Sequence, residues 1–111
     1  MALMSTEDYL NLRVDLHSHT TFSDGGLSPQ ELIDRATNYQ LDVLAITDHD
    51  TVSGLETASQ YIDEKALGIT LIDGIEISTS WHGFEIHIVG LNIDKTNEKL
   101  LMLIEQQQAA R

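Results

Sequence analysis

The feature that most narrows the folds open to this chain is the run DVLAIT at residues 42–47. It is apolar almost throughout and lacks the in–out alternation of a strand with one wet face, so it reads as a strand buried on both faces. Helical patterns stand on either side of it. Upstream, Ser28 offers a cap, Pro29 takes the first helical position, Glu31 completes a capping box, and Leu32, Ile33, Ala36 and Tyr39 form an apolar stripe. Downstream, a second helix is expected over about 53–67, closed by Gly68. RVDL at 13–16 reads as a short strand, ITLIDGIEIS at 69–78 as β-rich, FEIHIVGL at 84–91 as an alternating strand, and about 97 to 108 as a last helix. The order is β-α-β-α-β-β-α. Strands separated by helices of this length favour parallel pairing through crossovers, hence an α/β fold, open or closing into a barrel.

The last helix departs from an ordinary amphipathic pattern. Leu100, Leu101, Met102, Leu103 and Ile104 cover nearly every direction around its axis, and such a helix expects neighbours on more than one side. An α/β barrel takes about 250 residues, against 111 here. The expectation is a chain that self-associates or forms the N-terminal part of something longer.

Charge limits the partners. With 6 Lys and Arg against 18 Asp and Glu, the formal net charge is −12, which repels nucleic acid and anionic membranes in general. A phosphorylated substrate stays open if bound cations reverse the field locally. The absence of cysteine excludes disulfides and thiolate metal sites. The opening MALMSTEDYLNL, read as a lead over residues 1–12, holds two acids and no apolar core, unlike a signal peptide. The longest apolar run, LLMLI at 100–104, is far too short for a bilayer. The expectation is a soluble, cytoplasmic protein without a membrane partner.

Polar residues gather where the strands end. RVDL is followed by His17 and His19, DVLAIT by Asp48, His49 and Asp50, ITLIDGI by Glu76, and FEI by His87. Sites in parallel α/β folds form at the carboxyl ends of strands, so four strands would deliver imidazoles and carboxylates to one rim. His17 and His19, at i and i+2, point to the same side of an extended segment and make a chelating pair for a zinc, manganese or iron type of ion. Each residue alone has a plainer reading. The pair could be a surface pair, His49 a turn residue, Asp50 a helix cap, Asp24 a turn former, and Glu76 and His87 the polar positions of strands with a wet face. If Glu76 is instead buried, it needs a charged partner or a metal. His82, in SWHG, reads as a hairpin-loop residue, and Trp81 as a packing or rim aromatic.

In this order and spacing, DLHSHTTFSDG, AITDHDTVSG, GIEIS and IHIVGL resemble the PHP domain, the polymerase and histidinol phosphatase superfamily, and within it the stand-alone metal-dependent phosphoesterases, over about residues 13–95. The resemblance implies the N-terminal part of a distorted, TIM-like β/α barrel with mostly parallel strands, here residues 13–111 as a partial PHP domain. It implies two or three divalent ions (manganese, zinc or iron, with magnesium possible). His17 and His19 would hold the first, Glu76 would bridge first and second, His87 would ligate the second, and Asp24 and His49 would belong to the third. Asp15 and Asp48 would support them. His82 matches no ligand. The family's later histidine and closing Asp-x-His are absent from this sequence.

The function implied is metal-dependent hydrolysis of phosphoesters, of a nucleotide phosphatase or 5′–3′ exonuclease type, on a phosphorylated small molecule or a short nucleic acid. Two alternatives stand beside it. One is a catalytically incomplete metal-binding fragment that self-associates through an exposed apolar face. The other is an amidohydrolase-like C–N hydrolase, since those barrels also begin with an H-x-H pair; TDHD and GIEIS argue against it.

Overall fold

The computed structural model describes residues 11–110, so nearly all of the 1–12 lead lies outside the described residues. The elements are β1 (Val14–Asp15), α1 (Pro29–Asn38), β2 (Val43–Ile46), α2 (Ser53–Glu64), β3 (Thr70–Trp81), β4 (Phe84–Leu91) and α3 (Glu98–Ala109). Their order is the expected one. The four strands form one sheet in the order β1-β2-β3-β4. β1 with β2 and β2 with β3 are parallel, and β3 with β4 is an antiparallel hairpin. The fold is the α/β, mostly parallel architecture read from the sequence.

β2 is buried on both faces, as its apolar run requires. Leu44 and Ile46 join Ile33 and Ala36 of α1, Leu55 and Ala58 of α2, and Ile69 in one cluster, while Ala45 on the opposite face is also fully buried. Each large aliphatic side chain so buried contributes about 1.5–3 kcal/mol. α1 starts with the anticipated capping box between Ser28 and Glu31.

Two local expectations are corrected. The second helix ends at Glu64, and its left-handed residue is Ala66, with φ 51°, rather than Gly68. Leu67 N–H bonds the Ile62 carbonyl and Ala66 N–H the Asp63 carbonyl, a Schellman closure. α1 closes in the same way at Gln40, with φ 59°. Asp50 is not a helix cap either. α2 begins at Ser53, too far along for that side chain, and the Ser53 N–H is met by the Thr51 hydroxyl at 3.2 Å.

The β3–β4 hairpin turns through His82 and Gly83, both at positive φ (49° and 81°), as a two-residue turn between twisted strands demands. β3 runs on to Trp81, beyond the expected end at residue 78. α3 is capped by Asn97 and buries Ile104, while Leu101, Met102 and Leu103 stay exposed. Phe84, Ile86 and Ile88 of β4 are exposed as well. Among the described residues, no helix is long and apolar enough to cross a membrane.

Candidate metal centre

The site grows from the point where parallel pairing gives out. The β2–β3 ladder ends at Ile46 and Asp73, and the two chains touch once more at an isolated bridge between His49 and Glu76. There the Glu76 N–H donates to the Asp48 carbonyl and the Asp50 N–H to the Glu76 carbonyl, each at 3.0 Å. Glu76 is thereby fixed just past the carboxyl end of the parallel sheet, with only 4% of its surface exposed. The wet-face reading of this residue is wrong: the carboxylate points inward.

Four imidazoles surround that carboxylate. His17 Nε2 is in direct contact with Oε1, and His19 Nε2 is 3.6 Å from the same oxygen. His49 Nδ1 lies 3.3 Å and His87 Nδ1 2.7 Å from Oε2. Asp24 closes the far side, with Oδ2 3.3 Å from His49 Nε2 and Oδ1 3.8 Å from His19 Nδ1. The rings of His19 and His49 are stacked 4.5 Å apart. All six candidate ligands are brought together. They fall into three overlapping groups, His17–His19–Glu76, His19–Asp24–His49 and His49–Glu76–His87, with the ligand atoms of each group within 4.8 Å of one another.

The two acids expected to support the ligands contact the backbone and the loop around them. Asp15 accepts the backbone N–H of His17 at 3.1 Å and touches no imidazole. Asp48, fully buried, accepts the Thr20 N–H and hydroxyl, each at 2.6 Å, and the Ser23 hydroxyl at 2.8 Å. It pins the loop that carries His19 and Asp24. Gly25 lets that loop close, since a Cβ there would stand 2.3 Å from the His19 carbonyl oxygen. Sequence reasoning missed Glu85, whose Oε1 is 3.1 Å from His87 Nε2. Its i−2 position on an alternating strand, which places it on the face of His87, was the available signal. Thr20 and Ser23 were missed too. His82 sits in the turn with its ring against Trp81, centroids 4.2 Å apart, away from the cluster as expected.

The electrostatics follow from these contacts. Burial pushes the Glu76 carboxyl up, but hydrogen bonds from His87 and His17, with the charges of His49 and His17, outweigh it and hold the group below its ordinary value. The hydrogen bond to Glu76 raises the His87 imidazole, partial burial opposes this, and Glu85 adds to the rise.

The donor set fits divalent cations. It offers imidazole nitrogens and carboxylate oxygens without thiolate, as ions of the manganese, zinc and iron kind accept. His19 Nδ1 is buried without a hydrogen-bond partner, and His17 Nε2 and His19 Nε2 face each other at 3.1 Å. An open cavity of about 680 Å³ adjoins the cluster, bordered by Asp24, His49, His87, Ser78, Glu85 and Gln107.

The PHP domain family matches residues 15–110. A 5′-3′ exoribonuclease of Haemophilus influenzae is 52% identical over 99 residues, which is 89% of this chain and 35% of that protein. A 3′,5′-nucleoside bisphosphate phosphatase of Chromobacterium violaceum is 44% identical over 87 residues, 78% of this chain and 30% of that one. The solved structure of a protein described as a metal-dependent phosphoesterase, from Bifidobacterium adolescentis, superposes with a TM-score of 0.82 at 33% identity, covering 91% of this chain and 35% of the other. The chain thus spans about a third of the length of the relatives it matches.

Proposed function

The chain belongs to the PHP domain family, and from that premise we propose that it supplies metal ligands to a phosphoesterase, a hydrolase acting on ester bonds. The observation that carries this reading is the buried Glu76 carboxylate ringed by four imidazoles, with Asp24 beyond. His17, His19 and Glu76 would hold one divalent ion, His49, Glu76 and His87 a second, and His19, Asp24 and His49 a third. Bound ions supply Lewis acidity towards phosphate and water, and they offset the acidity of a chain of net charge −12 where an anionic substrate must dock.

The chain's own groups do the rest. Glu76 is shared between two of the ligand groups and fixes their spacing. Asp48 clamps the loop that presents His19 and Asp24, and Asp15 holds the backbone at His17. Glu85 turns the His87 ring through its second nitrogen, as carboxylates do for metal-bound histidines. The ions are manganese, zinc or iron, with magnesium a further option. The substrate is a phosphorylated small molecule or the 5′ end of a short nucleic acid, in keeping with the names of the exoribonuclease and phosphatase relatives. Residues 13–111 form the PHP part, residues 1–12 a lead, and the compartment is the cytoplasm.

Metal titration of the purified chain by calorimetry tests this. The expected result is stoichiometric uptake of manganese or zinc, reduced in His17→Ala and further reduced in His19→Ala, which belongs to two of the three ligand groups; no stoichiometric uptake by the unaltered chain would refute it.

A second reading rests on the exposed Phe84, Ile86 and Ile88 of β4 and Leu101, Met102 and Leu103 of α3. Here the chain is a metal-binding module that self-associates through these apolar faces. Light scattering separates the two: metal-binding dimers without phosphatase activity support the module, and an active monomer excludes it.

A further inference from the structure

A further cavity, about 410 Å³, adjoins the candidate ligands Asp24 and His49, and Phe22 forms part of its wall. Phe22 lies in the loop between β1 and α1, three residues after His19 and two before Asp24. It is 46% exposed and belongs to no core cluster. Its backbone is nevertheless anchored. Its N–H donates to the Thr20 hydroxyl at 3.1 Å, and that hydroxyl donates to buried Asp48. One edge of the ring rests against the start of α2, where a Cβ on Gly54 would come within 3.3 Å of Phe22 Cδ2. The chain thus keeps a half-exposed aromatic ring beside the candidate metal ligands, and among the described residues its open side faces the cavity.

A planar group carried by the substrate would cover that ring. Cavities of about 300–1,000 Å³ suit small ligands, and an exposed aromatic side chain is a sequence-tolerant platform for a nucleobase. A sugar phosphate without a base would leave Phe22 in water.

We infer that Phe22 is a specificity-determining residue, on whose ring the base of a nucleotide substrate stacks while its phosphate lies at Asp24 and His49. This rests on the phosphoesterase reading and adds the substrate class to it.

The test is calorimetric binding of AMP and of ribose 5-phosphate, which lacks the base, to the manganese-loaded chain. The unaltered chain is expected to prefer AMP. Phe22→Ala weakens AMP about tenfold and leaves ribose 5-phosphate unchanged, the scale of one base–aromatic stack. Phe22→Leu, which keeps apolar bulk without a ring, shows the same loss, and Phe22→Trp retains the preference. Equal weakening of both ligands, or no change in either, overturns the inference while the phosphoesterase reading stands. If the unaltered chain binds neither ligand, that reading fails and this one with it.

Discussion

Glu76 and His87 meet at 2.7 Å, Oε2 to Nδ1, although they are not partners in the hairpin register. Glu76 stands opposite Val89, and His87 opposite Ser78. The contact runs diagonally across the two strands, within the reach of long side chains on one face of a sheet. It ties the exposed edge strand β4 to the one carboxylate that β3 buries at the centre of the ligand cluster. Glu85 then engages the second nitrogen of the same ring, so His87 is held from both sides before any ion arrives.

This pair makes stability and metal uptake respond oppositely to pH. Glu76 is held below its ordinary 4.5 and His87 above its ordinary 6.5. The lowered carboxylate contributes stability that is present above pH 4.5 and is lost as pH falls through its folded value. The raised imidazole contributes stability that is fully present below pH 6.5 and is lost as pH rises through its folded value. The metal-free chain should therefore melt at a lower temperature as pH climbs above 6.5. Metal binding requires neutral imidazole, so uptake at the His49–Glu76–His87 group should strengthen over the same range. Thermal melts with and without manganese check both slopes, and His87→Gln should flatten the metal-free one.

Replacing Asp48 attacks the loop instead of the ligands. Its carboxylate satisfies the backbone and hydroxyl of Thr20 and the hydroxyl of Ser23 in a buried setting. Asp48→Ala leaves those donors without an acceptor and should cost about 2–4 kcal/mol, from the penalty of unsatisfied buried donors. Urea unfolding measures it. Asp48→Asn keeps one acceptor oxygen and should cost less. Metal affinity should fall at the His19–Asp24–His49 group even under conditions where the variant remains folded.

Glu85 offers a cleaner separation, because it is exposed and contributes little to packing. Glu85→Ala removes the group that turns His87, and orienting partners of this kind are worth about 10–100-fold in metal affinity. Glu85→Gln keeps an acceptor oxygen and should recover much of the loss. Calorimetry should show the change in one class of metal site only, since His17 and His19 make no contact with Glu85 among the contacts observed. A loss spread equally over all sites would mean that Glu85 supports the hairpin and not the ring.

The residues explain how much of this was readable in advance. The unbroken apolar run of β2 demanded burial on both faces, and that demand ordered the helices around it. The polar residues beyond the strand ends could then reach one rim, and Glu76, His87 and the loop histidines do meet there. Other features depend on chain segments far apart. Asp48 finds its donors 25 and 28 residues away, in a loop whose path no periodicity describes. Whether Glu76 faced water or the interior was undecided by alternation, which allows both. The i−2 spacing puts Glu85 on the face of His87, but only the folded hairpin shows that it reaches the ring nitrogen. Gly68 is the helix stop that composition favours, yet the closure falls on Ala66, because the backbone bonds at Leu67 and Ala66 set the geometry and not the nearest glycine.

That last misfit leads to a stability prediction. Ala66 holds φ 51° at the end of α2, a conformation that costs an L-residue about 1–2 kcal/mol. Glycine adopts it without a Cβ clash but gives up more freedom on folding, by about 0.5–1 kcal/mol relative to alanine. The first term is the larger, so Ala66→Gly should raise the unfolding free energy by about 0.5–1 kcal/mol. Gln40, at φ 59° after α1, should respond in the same direction. Ala58 supplies the control. It lies inside α2 and is fully buried in the core, where Ala58→Gly loses helix propensity worth about 1 kcal/mol and packing besides. The same substitution eight residues apart in the chain should therefore move the urea midpoint in opposite directions. A fall in the midpoint for Ala66→Gly would show that the left-handed closure of α2 carries no strain for glycine to relieve.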